Sequence, residues 1–107
     1  MSLVSLAEAK VNLHVDSTDE DELISSLIIS AEFRCSDVAR MSDEDWEKVI
    51  AEPTDEDDRE LLRKRALLKD AIRYAITYMF EHREEIKDDE LNLTLRSLLY
   101  SIREGAY

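Results

Sequence analysis

The chain has 107 residues, 14 of them basic and 26 acidic, for a formal net charge of −12. A chain this short buries about 60–70% of its unfolded surface, which leaves room for one core, and its 44% hydrophobic residues are enough to fill it, so disorder throughout is not expected. One Gly (Gly105) and one Pro (Pro53) argue against β-sandwiches, barrels and glycine-rich phosphate loops, and the lone Cys35 excludes an internal disulfide framework or a multi-cysteine zinc site.

Ser5-Leu6-Ala7-Glu8 has the spacing of a capping box, in which a Ser hydroxyl and a Glu carboxylate satisfy free amides of a first helical turn. A short helix is expected to follow, with Leu6, Ala9 or Lys10, and Leu13 on one side, ending near His14. Val15-Asp16-Ser17-Thr18-Asp19 reads as a polar turn whose side chains can cap a second helix, with Asp19 to Glu22 at its positive end. That second helix is expected over residues 20–40, because Leu23, Ile24, Leu27, Ile28, Ala31, Cys35, Val38 and Ala39 recur at helical period. Arg34 and Arg40 fall late, where cations suit the negative end. Ile29 and Phe33, four apart, lie toward a second side, where they widen the core or meet a neighbour.

Residues 41–60 form an acidic segment. Ser42-Asp43-Glu44-Asp45 resembles another cap; Trp46, Val49 and Ile50 suit one short amphipathic helix, and Glu44 and Lys48 form a favourable pair. Pro53 breaks the pattern and Thr54-Asp55-Glu56-Asp57 supplies a further cap signature. A long helix is expected over residues 55–84, roughly 45 Å at ~1.5 Å per residue. One stripe is Leu61, Leu68, Ile72, Ala75, Ile76 and Met79; a second is Leu67, Ala71, Tyr74 and Tyr78, with Leu62 and Phe80 broadening the set. Two stripes imply a central helix, or one that packs on its own domain and on a partner. Asp88, Asp89 and Glu90 make an acidic break before a final helix over residues 91–103, with Leu91, Leu95, Leu98, Leu99 and Ile102 as its apolar face. Gly105 is the expected stop, and Ala106 and Tyr107 the frayed end. The fold expected is all-α: a single small helical bundle of about four to five helices, residues 1–107, built on one long central helix.

The sequence shows little catalytic chemistry. His14 and His82 each fall at the end of an expected helix, where imidazole meets free carbonyls. Cys35 lies on an apolar stripe, as a small core residue does. The acid clusters at Asp16, Asp19, Asp21 and at Asp55, Asp57, Asp58 lack the central Gly of a calcium loop and read as caps and solvated faces. No catalytic constellation, metal site or cofactor motif is found, and the expectation is a protein that is not an enzyme. No apolar run approaches the ~18 residues of a membrane span. The opening Met1-Ser2-Leu3-Val4-Ser5 lacks the basic start of a signal peptide, so a cytoplasmic product is expected.

Charge is unevenly spread. Residues 1–60 hold 18 acidic and 5 basic side chains; residues 61–107 hold 8 and 9. Such a chain pays an electrostatic cost to approach a phosphate backbone, which disfavours tight nucleic-acid binding. On the long helix Arg65, Lys69 and Arg73 repeat at i, i+4, with Arg63 and Lys64 beside them. Either Asp70 and Glu60 neutralise this strip or it meets an acidic surface, in the same chain or in a neighbouring copy.

The order of these pieces is similar to a known family. Leu6-Ala7-Glu8-Ala9-Lys10-Val11-Asn12-Leu13-His14-Val15-Asp16 resembles the opening "L-x-E-A-K-x-x-L-R-V-D" of the small head–tail connector proteins of tailed bacteriophages and prophages. Asp21-Glu22-Leu23-Ile24-Ser25-Ser26-Leu27-Ile28-Ile29-Ser30-Ala31 resembles that family's "D-x-L-I-x-x-L-I-x-A-A" helix. Residues 71–84 resemble its helix ending in an aromatic–x–x–R-E signature, here Phe80-Glu81-His82-Arg83-Glu84, and Tyr100-Ser101-Ile102-Arg103 matches a closing "Y-x-x-R". His14 stands where Arg is common, and the usual Gly-containing turn after the second helix is missing.

The resemblance implies a structural role. Connector subunits form a homo-oligomeric ring beneath the portal protein, extend the DNA channel and present a surface to the next head-completion or tail protein. The implied setting is the host cytoplasm during assembly and then the virion head–tail junction, with no cofactor and no membrane. Double-stranded DNA is expected to pass through without tight binding, along an acidic lumen that repels phosphates. Candidate interface residues are Arg65, Lys69, Arg73, Tyr74, Tyr78, Phe33 and Trp46. The alternative reading is an acidic helical protein-binding module, or a DNA-mimic regulator.

Overall fold

Five α-helices and a closing 3-10 turn make up the fold, seen in a computed structural model that describes residues 2–51 and 59–102. They are α1 (Leu6–Leu13), α2 (Asp21–Val38), α3 (Asp43–Ile50), α4 (Arg59–Glu81) and α5 (Asp88–Leu99), followed by the turn Tyr100–Ile102. The described residues contain no strand. The expected Pro53 break, the cap at Thr54 to Asp57, the helix start at Asp55, Arg103, the Gly105 stop and the frayed Ala106 and Tyr107 lie outside the described residues.

The helix starts follow local chemistry. Ser5 Oγ accepts the Glu8 N–H at 3.1 Å and Ser42 Oγ accepts the Asp45 N–H at 3.2 Å, each satisfying an amide that the first turn leaves free. The capping box of α1 is closed differently from its usual form: the Ser5 hydroxyl donates to Glu8 Oε1 at 3.4 Å. The polar turn before α2 supplies no side-chain cap; Glu20 is the N-cap residue, and the Asp21 N–H is taken by the Thr18 carbonyl at 3.2 Å. Asp88, Asp89 and Glu90 are not a break. They form the first turn of α5, where their charge complements the positive end of the macrodipole.

With a single Gly in the chain, two helix ends place other residues in the left-handed region. His14 (φ 58°) and Arg40 (φ 56°) close α1 and α2. At α1 the Val15 N–H reaches the Lys10 carbonyl and the His14 N–H the Val11 carbonyl, at 2.9 and 3.2 Å. At α2 the Met41 N–H reaches Ser36 and the Arg40 N–H reaches Asp37, both at 3.0 Å. Both are Schellman closures, which turn the next side chain back onto the bundle. Val15 and Met41 accordingly pack against the core. Arg40 thus occupies the conformation for which a Gly would carry no Cβ penalty.

The core is the meeting of α4 with α2, closed by α5. Leu68, Ile72, Ile76 and Met79 of α4, Ile24 and Cys35 of α2, and Leu91, Leu95 and Leu99 of α5 are all essentially inaccessible. α4 packs against each of the other four helices, and α2 against α1, α4 and α5. The second α4 stripe is only partly inward: Ala71 is buried, Leu67 and Tyr78 pack on the core edge, and Tyr74 is exposed. Leu98 is also exposed, against expectation. It sits one step, about 100°, from Leu99, off the line through Leu91, Leu95 and Leu99. Leu3 and Val4, ahead of α1, are buried, and the Leu3 N–H donates to Glu32 Oε2 on α2 at 2.6 Å.

Ile72→Ala removes a fully buried side chain from the α2–α4 contact and is expected to lower unfolding stability by about 2–5 kcal/mol. A urea titration followed by circular dichroism measures it, and an unchanged midpoint would show that the core lies elsewhere.

Candidate functional site

The basic strip of α4 is engaged within the chain. Arg65 Nη1 donates to the carbonyls of Val49, Ile50 and Ala51 at 2.7, 3.2 and 3.3 Å. These are carbonyls at the end of α3, where the macrodipole is negative, so one guanidinium both caps α3 and fastens it to α4. Lys69 Nζ and Arg73 Nη2 converge on Glu8 Oε2 of α1, at 3.1 and 3.2 Å. Arg73 Nη1 also approaches Asp70 at 3.6 Å, so Asp70 does help neutralise the strip. The acidic surface that Lys69 and Arg73 meet is the first turn of their own chain's first helix. The hydrogen bond from Lys69 is the main cause that holds the Glu8 carboxyl below its ordinary range; Arg73 adds to it, and partial burial opposes it.

The other helices are tied by similar pairs. Lys10 meets Asp21 at 2.8 Å and fixes α1 to the start of α2. Arg34, expected to serve the end of its own helix, instead meets Asp88 at the start of α5, also at 2.8 Å. Glu44 and Lys48 pair at 3.7 Å as their spacing suggests.

On the last turns of α4, Tyr74, Tyr78 and His82 form an aromatic column with centroid separations of 6.5 and 4.3 Å. His82 Nδ1 lies 2.9 Å from the Tyr78 carbonyl; that carbonyl only accepts, so Nδ1 carries the proton. The imidazole thus adds a second donor to a carbonyl that already accepts the His82 backbone N–H, so it does not serve a free helix-end carbonyl as expected. His14 closes its helix through its backbone instead. The Tyr78 hydroxyl is buried with no hydrogen-bond partner among the described residues. Tyr78 is thus a core-edge residue, while Tyr74 faces solvent.

Phe33 and Trp46 come together. They line a hollow of about 150 Å³ between α2 and α3, with Ile29, Glu32, Ser36, Met41 and Asp43. Ile29 and Phe33 are 56% and 72% exposed, far more than an apolar residue on a core stripe. Trp46 is half-buried, with part of its ring against the core. Glu32 is the one buried charged residue among those described, and the apolar pattern of α2 does not single it out. It lies at i+4 from Ile28 and i+8 from Ile24, so a carboxylate in an apolar register was the available signal. Also missed was the outer face of α5, where Leu93, Arg96, Ser97 and Tyr100 form a second open surface. Leu93 and Tyr100 there are 66% and 64% exposed.

Cys35 is fully buried, and burial, with the Glu32 charge adding to it, pushes its thiol up to about 12, so it stays protonated in the core. Among the described residues no group of three or more His, Cys, Asp or Glu side chains is placed to hold a metal ion. No helix among them is long and apolar enough to cross a membrane.

Comparison of the chain with family models, with curated proteins and with solved structures returned no match. Its surfaces are therefore read from their own chemistry. The candidate site is the pair of open helical faces, one at the α2–α3 hollow and one on α5.

Two predictions test the α4 strip. Arg65→Met removes the donor for three α3 carbonyls and is expected to cost about 1–3 kcal/mol; hydrogen exchange should speed up selectively in α3. Glu8 has a lowered folded pKa, so the stability from its contacts is complete above the ordinary value of 4.5 and is lost as pH falls through the lower folded value. Glu8→Gln should therefore melt lower than the parent at neutral pH and lose less Tm on acidification below pH 4.5.

Proposed function

We propose that this chain is a structural head–tail connector subunit of a tailed phage or prophage, which assembles under the portal and extends the DNA channel. The observation that carries the reading is the presence of two separate exposed apolar faces on one small bundle, Ile29 and Phe33 on α2 and Leu93 and Tyr100 at its last helix. A ring subunit needs two different lateral surfaces, because each copy touches one neighbour on either side. The sequence blocks at residues 6–16, 21–31 and 71–84 support the same reading through their likeness to connector proteins.

In this proposal Phe33 and Trp46, at the α2–α3 hollow, and Tyr74, on the open side of α4, contribute to contacts with copies or with neighbouring virion proteins. Arg65, Lys69, Arg73 and Tyr78 support those surfaces from within the subunit, where their described contacts are made. The partners are further copies of the chain, a portal protein and a head-completion or tail protein. Its acidic N-terminal part, with 18 acidic and 5 basic side chains in residues 1–60, suits a lumen through which a duplex slides without sticking. The role is non-enzymatic.

That same acid bias favours one second reading, an acidic module that occupies a basic protein surface in place of DNA. Electron microscopy of the purified chain mixed with the portal protein encoded beside its gene separates the two. The connector reading expects a ring of added density on the portal; an unbound portal, with the chain instead displacing DNA from a basic protein, would overturn it.

A further inference from the structure

We propose that the α2–α3 hollow is the receptor for the outer face of α5 of a second copy, so that these two open surfaces among the described residues are the two halves of one contact. The inference deepens the connector reading and rests on it for the biological setting. The contact itself follows from the matching of the two surfaces.

The first match is length. Along α2 the open side of the hollow runs from Ile29 through Phe33 to Ser36, at i, i+4 and i+7. On α5 the exposed stripe runs from Leu93 through Arg96 and Ser97 to Tyr100, at i, i+3, i+4 and i+7. Tyr100 keeps helical angles (φ −53°, ψ −44°), so the stripe continues straight past the end of α5. Each surface therefore spans about 10 Å at ~1.5 Å per residue. These are the anchor spacings by which an amphipathic helix lies in a groove.

The second match is charge. The hollow carries two carboxylates, Glu32 and Asp43, among apolar and aromatic walls. The stripe carries one cation, Arg96, between Leu93 and Tyr100. Among the described residues none of these three side chains is in an ion pair, although nearby acids and bases such as Arg34 and Asp88 are. A guanidinium entering the hollow finds a carboxylate and the aromatic rings of Phe33 and Trp46, both favourable to it. Leu93 and Tyr100 then cover Ile29 and Phe33, which are otherwise left in water.

Hollow and stripe are different surfaces, both open in the same chain, so the contact is head-to-tail. Each copy that uses its hollow keeps its stripe free. Such a contact propagates and closes into a ring when the rotation per copy allows.

The test uses the full chain with Ser36→Cys and Ser97→Cys. Cys35 is buried and stays silent. Under mild oxidation the double variant is expected to give a ladder of covalent multimers. An equimolar mixture of the two single variants should stop at the dimer, and each single variant alone should stay monomeric. Asp43→Arg and Arg96→Asp, both on the surface, should each cut the ladder yield about tenfold, a 1.4 kcal/mol effect. The two together should restore it. Circular dichroism checks that every variant is folded. Loss of the ladder, self-linking of a single variant, or equal ladders in all charge variants would overturn the contact, as would a basic amphipathic peptide filling the hollow while copies stay apart. A portal-bound ring built without this link would overturn the contact and leave the connector reading standing; a ladder without portal binding would do the reverse.

Discussion

Water is kept from the inner face of α4 by α2 on one side and α5 on another, and the order of everything outside follows from that burial. Leu68, Ile72, Ile76 and Met79 repeat at four, four and three residues, the rhythm of one helix face. Once that face is buried, the rotation of α4 about its axis is set. Arg65, Lys69 and Arg73 are then carried to the side where α1 and the end of α3 lie, and Tyr74 is turned outward. The ion pairs and caps add modest increments to an arrangement already chosen by apolar area.

The all-helical bundle was legible because it is written in strong local signals. Ser5 and Ser42 sit where a hydroxyl caps a helix, and the Ile24, Ile28, Cys35 register is hard to read as anything else. Three features were not legible, each for a physical reason. The Asp88 to Glu90 run looks the same as a loop or as a helical first turn until the neighbouring cation Arg34 is placed. Left-handed helix ends normally announce themselves by Gly, and here His14 and Arg40 take that conformation. The partner of the basic strip depends on which helix lies against α4, a long-range fact that spacing along one helix does not contain.

The open surfaces show a related limit. Phe33 stands out in the sequence as an apolar residue off the main stripe and Trp46 as the anchor of a short helix, and the structure brings them to one hollow. The α5 face was hidden because Leu93 and Tyr100 are seven apart with Arg96 between them, a pattern that reads as ordinary surface in isolation. Only the fold shows that Leu91, Leu95 and Leu99 have already filled the inward side, so the others must look out.

Glu32 holds the Leu3 amide with one oxygen and also borders the α2–α3 hollow. Leu3 and the hollow thus share a single carboxylate. An occupant that draws this group outward loosens the leading residues, and by reciprocity anything that pulls on those residues weakens the occupant by the same factor. A change that displaces Leu3 from its buried seat would thus be felt at the hollow.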